Sequence, residues 1–273
     1  MPGEPFGPVI VGVDTSPMSL AAVDLAADEA MVRVAPLVIV HAVEGSGDTA
    51  TRAAHRLVAV AVARARAEHP GLAVAGEVAG DDPVSALVAR GCGAALLVLG
   101  ARDRRTGLGA ADIPTRITAL LSAPLIVHRP LTHPQSVVLP RPVLLGVSGT
   151  AGSDSTVEFA FAEAVLRGAP LVALHVWTAP ADAAPERELD DRAAHEGAQH
   201  ILLSALERWT EKYPEVEVRI AARHSLDVPV ALTAASSISQ LAVIGRGHRT
   251  GPVFDVLTRR AHCPVAVVPH AAA

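Results

Sequence analysis

Half of the 273 residues are apolar and 19% are charged, with 23 basic against 28 acidic side chains for a formal charge of −5. This composition excludes a disordered tail, and with 3% aromatic residues it offers neither the cationic surplus that binds phosphate backbones nor the rings that stack on bases. No apolar run reaches the roughly 18 residues of a membrane span, the start carries no basic or hydrophobic signal segment, and Cys92 and Cys263 lie far apart, so a soluble chain in the reducing cytosol is expected.

Short, nearly continuous apolar runs at 9–13, 37–43, 72–78, 96–99 and 125–127 predict strands buried on both faces. Between the first two, Ser16-Pro17 supplies an N-cap and an N1 proline. Leu20, Val23, Ala27, Ala30 and Val34 then recur at helical spacing until Pro36. Further helices are predicted over 52–68, stopped by Pro70-Gly71, over 83–90 behind Asp82, and over 115–122 behind Pro114. The order βαβαβαβαβ implies a parallel sheet with right-handed crossovers and helices on both faces. Ligands of such sheets lie beyond the carboxyl ends of the strands, where the strand order switches.

The chain then repeats itself. Val9-Ile10-Val11-Gly12-Val13-Asp14 returns as Val143-Leu144-Leu145-Gly146-Val147-Ser148, and Pro36 to His41 returns as Pro170 to His175, both at an offset of 134 (146 − 12 and 175 − 41). The offset grows to 145 at Asp82 and Asp227, Leu87 and Leu232, Gly100 and Gly245, which places about eleven extra residues near 180–195. It falls to 140 at Pro124 and Pro264. Two copies of about 130 residues suit paired domains: one over 1–130, a proline-rich linker over 131–141, and a second domain over 142–273.

Three features, in order and twice over, make the chain resemble the universal stress protein family in its tandem, actinobacterial form. They are Val11-Gly12-Val13-Asp14-Thr15-Ser16 at the end of the first strand, His41-Ala42 and His175-Val176 at the end of the second, and Cys263-Pro264-Val265 opening the last. The resemblance implies two flavodoxin-like (Rossmann-like) α/β domains, each a five-stranded parallel sheet with helices on both faces, packed as a pseudo-dimer and assembling further into a homodimer. It also implies a role in the stress response and, in one branch, ATP binding. In that branch the acid after the first strand lies near the nucleoside, and a Gly-x-x-Gly-x9-Gly-Ser/Thr loop after the fourth holds ribose and phosphates.

Carried onto this sequence, the nucleotide site falls on Val13, Asp14, Thr15, Ala42, Gly100 and Arg102 in the first copy. In the second it falls on Val147, Ser148, Val176, Gly245, Gly247 and Gly251. Both copies depart from the motif. In the first, Asp103 stands at the second glycine and either Ala111-Asp112 or Ile113-Pro114 at the Gly-Ser step; in the second, Ser148 replaces the acid and Pro252 the final hydroxyl residue. Glycine turns and helix N-termini hold phosphate through open N–H groups, each charge-assisted bond contributing roughly 1.5–3 kcal/mol. Losing two or three of them weakens ATP binding by orders of magnitude. Arg102, Arg104, Arg105, Arg246 and His248 either compensate by pairing with phosphates or form a solvated loop face. Asp14 is either a nucleoside contact or an acid satisfied by backbone N–H groups.

Other chemistry is sparse. Gly146-Val147-Ser148-Gly149-Thr150 falls one glycine short of a nucleophile elbow, no Gly-x-Gly-x-x-Gly follows the first strand, and the histidines lack metal-ligand spacing. His41 and His175 read as satisfied strand-end residues, and both cysteines as packing. The expected function is a stress-response binding and regulatory module with a degraded ATP site. The rival is a slow ATPase using Asp14 and Gly100. A further reading gives the Ala-Pro-rich insertion at 179–194 to a protein partner.

Overall fold

The computed structural model describes residues 7–43, 47–101, 113–130, 140–149, 154–177, 187–247 and 251–270, with only the backbone of 187–191. By contact density the chain falls into two units, Met1–Arg129 and Pro130–Ala273.

The first unit runs β1 (Val9–Gly12), α1 (Pro17–Val32), β2 (Leu37–Ala42), α2 (Asp48–Glu68), β3 (Val74–Ala79), α3 (Pro83–Gly91), β4 (Leu96–Gly100), α4 (Ile113–Leu120) and β5 (Leu125–His128). Its strands pair in parallel in the order β3-β2-β1-β4-β5. The order reverses between β1 and β4, which places the switch point at Gly12 and Gly100. In the second unit β6 (Val143–Gly146), α5 (Asp154–Leu166), β7 (Leu171–Trp177), α6 (Arg187–Lys212), β8 (Val218–His224), α7 (Val228–Ser236), β9 (Leu241–Gly245), α8 (Pro252–Arg260) and β10 (Val265–Val268) follow the same plan. Their order is β8-β7-β6-β9-β10, again parallel.

Strand alternation sends Ile10, Val40, Leu97, Leu99, Leu125 and Val127 to one face, where Leu87 of α3 and Ile117 of α4 close over them. Toward the other face α1 presents a stripe of fully buried alanines, Ala22, Ala26 and Ala30, four residues apart. Side chains this short bring the helix axis close to the sheet. A Cβ added at Gly100 would stand 2.7 Å from the backbone carbon and oxygen of Met18 and 2.9 Å from the nitrogen of Ser19.

Three expectations are corrected. The run at 72–78 is not buried on both faces, because β3 begins at Val74 and lies at an edge, leaving Ala75, Gly76 and Glu77 exposed. The fourth helix begins at Ile113 and takes Pro114 into its first turn, where a missing N–H costs nothing. Val34 is outside α1: its φ is +53°, it is 95% exposed, and the N–H of Ala35 reaches back to the carbonyl of Ala30 at 2.9 Å. That is a Schellman C-cap with valine in the left-handed position. The second unit has Gly168 there, also at φ +53°, with Ala169 donating to Ala164 at 2.9 Å. Valine in this region costs about 1–2 kcal/mol and glycine does not, although glycine loses more entropy on folding. Val34→Gly is therefore expected to stabilise the first domain by about 0.5–1 kcal/mol, read as a raised calorimetric midpoint. An unchanged or lowered midpoint would contradict the strain.

The same helix end holds a second repeated device. Arg33 pairs with Glu29, and Arg167 with Glu163, both as i,i+4 ion pairs with the carboxylates almost fully buried. The seam between the first two helices is ionic in both units. In the first, Arg64 of α2 holds Asp24 of α1 through two bonds of 2.5 and 2.6 Å, and His69 meets Asp28 at 2.8 Å. In the second, Lys212 of α6 holds Glu158 of α5 at 2.6 Å and Arg208 meets Asp154 at 3.1 Å. The second seam adds rings: Phe161 of α5 stacks on Tyr213 just beyond α6 at 5.7 Å between centroids, and Trp209 on Tyr213 at 6.3 Å. The insertion at 179–194 is partly helical, since α6 already begins at Arg187. Residues 178–186 lie outside the described part.

Candidate functional site

At the switch point of the first unit, the ends of β1, β2 and β4 and the first turns of α1, α3 and α4 surround a cavity of about 110 Å³. Val13, Asp14, Ala42 and Gly100, onto which the resemblance carries the nucleotide site, all line it. Thr15 is exposed and outside the lining, and Arg102 lies outside the described residues together with Asp103, Arg104, Arg105, Ala111 and Asp112. The sequence reading missed Ser19, Pro83, Leu87 and Ile113 as wall residues. Their signal was positional: each sits in the first or second turn of a helix that follows a strand.

The floor is pinned by backbone. Val13 donates its N–H to the carbonyl of Val40 at 2.9 Å, and its own carbonyl accepts from Nδ1 of His41 at 2.7 Å. A carbonyl only accepts, so Nδ1 carries a proton, and of the two neutral tautomers this bond selects the one whose Nε2 is an acceptor. The second unit repeats this, with Nδ1 of His175 on the carbonyl of Val147 at 2.7 Å. The expectation of satisfied strand-end histidines is thereby met on the Nδ1 side, although His41 also lines the cavity.

Asp14 is largely committed to its own chain. Its Oδ1 accepts the N–H of Ser16 at 2.8 Å and the Ser16 hydroxyl, and its carbonyl accepts the Ser19 hydroxyl at 2.7 Å. Ser16 in turn caps α1 by accepting from the N–H of Ser19 at 3.2 Å. Pro17 has no N–H to give. At the helix end that would face an anion, the Ser16 N–H and hydroxyl are therefore committed to a carboxylate of this protein and the Ser19 N–H to the Ser16 hydroxyl. Oδ2 of Asp14 takes no hydrogen bond among the described residues. The described lining holds this one carboxylate and no lysine or arginine.

Gly100 also has a packing explanation. Any side chain there would collide with the backbone of α1's first turn, so its identity says little about phosphate. Gly245, its counterpart, faces the side chain of Thr156, whose hydroxyl would stand 2.9 Å from an added Cβ. In the second unit Val147, Ser148 and Val176 follow or end β6 and β7, Gly245 ends β9, and Gly247 and Gly251 lie between β9 and α8, where Gly251 is an N-cap without a side-chain bond. Trp177, next after Val176, lays its ring on His224 at 4.6 Å. Sequence reasoning did not single out this pair. Among the described residues no cluster of histidine, cysteine and carboxylate could hold a metal, and no helix is long and apolar enough to cross a membrane.

Fold and site together define a tandem protein of two Rossmann-like α/β domains, the first with a cleft at its strand switch point. The universal stress protein profile matches residues 5–115 and 140–269. A universal stress protein of Mycobacterium tuberculosis is 31% identical over 95% of this chain and 95% of its own, and one of Mycolicibacterium smegmatis is 31% identical over 95% and 96%. The crystal structure of a universal stress protein from Archaeoglobus fulgidus shares the fold at a TM-score of 0.64 and 14% identity, over 96% of both chains. The chain belongs to the universal stress protein family.

Proposed function

We propose that this universal stress protein is a cytosolic binding and regulatory module, and that the first-domain cavity holds the nucleoside part of a nucleotide in preference to its phosphates. One observation carries the reading: Asp14, Ser16 and Ser19 cap one another at the start of α1, directly beside an apolar cleft. A bound phosphate would have to displace a carboxylate from those donors or lie against its charge. A neutral ring bearing an amino group or a hydroxyl meets aliphatic walls at Val13, Val40 and Leu99 and two acceptors, Asp14 and His41. The volume lies below the roughly 300–1,000 Å³ of pockets that enclose a drug-sized ligand, and suits part of a nucleotide rather than the whole of it. The chain so read binds and signals; the one carboxylate in the described walls is engaged in capping.

Isothermal titration of the full chain with adenosine, and with ATP and magnesium, tests this. Adenosine is expected to bind at least as tightly as ATP. Asp14→Ala is expected to weaken adenosine about tenfold, the loss of one charge-assisted bond. ATP binding tenfold tighter than adenosine would overturn the preference, and no binding of either would overturn the assignment of the cavity.

A further inference from the structure

The two copies differ at the end of the last strand of each domain. His128 closes β5, and at the offset of 140 its counterpart closing β10 is Val268 (268 − 128). The backbone roles are the same. The N–H of Ala101, just past β4, donates to the carbonyl of His128 at 2.9 Å, and the N–H of Arg246, just past β9, donates to the carbonyl of Val268 at 2.7 Å. The register matches too, with Gly100 beside His128 and Gly245 beside Val268. The fold therefore needs an apolar filler here and no imidazole. Yet Nδ1 of His128 is buried and has no hydrogen-bond partner, a cost that Val268 avoids.

We propose that His128 is a proton-operated latch on the first domain: taking a proton from solvent drives the ring out of its slot, carries the end of β5 with it, and releases Ala101 and the Gly100 edge of the cavity. The charged groups facing the ring act against each other. Asp24 of α1 favours protonation and Arg129, the next residue, opposes it, while burial is the larger influence and holds the imidazole below its ordinary range. Asp24 is already engaged by Arg64 through both of its oxygens, and its attraction for a protonated ring is shared with that guanidinium.

The sign follows from linkage. With the folded pKa below the unfolded one, the unfolded or opened form binds more protons once the pH drops toward the ordinary imidazole value of about 6.5. Stability of this corner is therefore full above that value and lost on acidification. The latch operates whether or not a ligand occupies the cavity.

The chain carries its own control. Amide hydrogen exchange of the full-length protein is measured at about pH 7 and about pH 5, each corrected for the intrinsic chemical rate. Protection of the Ala101 amide is expected to fall about tenfold, while that of the Arg246 amide holds. His128→Val, the residue the second domain already uses, is expected to abolish the fall. Equal pH dependence of the two amides in the natural protein overturns the proposal without any variant, and so does persistence of the fall in His128→Val.

Discussion

Gly100→Ala is expected to destabilise the first domain by about 3 kcal/mol, at the upper end of overpacking costs, and to lower its calorimetric midpoint by roughly 10 °C. The magnitude rests on what the new methyl meets. Its nearest neighbours are backbone atoms of Met18 and Ser19, which move only if the first turn of α1 moves with them. That turn contains the Asp14, Ser16 and Ser19 bonds, so the variant is expected to lose the cavity's shape as well as stability. Gly245→Ala is the internal comparison. There the methyl meets a threonine side chain that can rotate, and the expected cost is below about 1 kcal/mol. Equal losses at the two positions would mean that helix proximity does not dictate glycine at Gly100.

Glu29→Ala is expected to cost about 3 kcal/mol, because it breaks an ion pair with Arg33 whose two side chains are almost fully buried. The double replacement Glu29→Leu with Arg33→Met is expected to be close to neutral, since it removes both charges and fills the space with apolar groups. Urea titrations of the two variants separate a broken pair from a dispensable one. If the single variant loses less than about 1 kcal/mol, water or other groups already neutralise Arg33. The same pair at Glu163 and Arg167 predicts the same ordering in the second domain.

Much of this architecture could be read from the residues. The apolar runs lie within one or two residues of the observed strands, the proline and aspartate signals mark helix starts at Ser16 and Asp82, and the offsets of 134, 145 and 140 carry the first domain's elements onto the second's. What escaped the sequence had identifiable physical causes. An edge strand and an inner strand carry similar apolar runs, so β3 looked buried on both faces. Val34 continued the helical spacing, and only backbone geometry shows it turning into the left-handed cap that Gly168 fills in the second copy. Asp14 was legible as one of two things, a ligand contact or a satisfied acid. Its bonds to Ser16 support the second description for Oδ1, while its place in the cavity wall keeps it in reach of a ligand. Gly100 looked like the opening of a phosphate loop because a sequence does not show how closely a helix passes behind a strand.

The aromatic seam of α5 and α6 has an optical consequence. Trp177, Trp209 and Tyr213 are the whole complement of tryptophan and tyrosine, two and one residues, and all three belong to the second unit. Intrinsic emission excited near the tryptophan band therefore comes from that half alone. A fluorescence melt has no reporter within the unit that holds the cavity, and a ligand settling against Asp14 has no native fluorophore beside it in its own domain. Val43, which stands where the second unit has Trp177 (177 − 134), is the natural position at which to give the first domain a voice of its own.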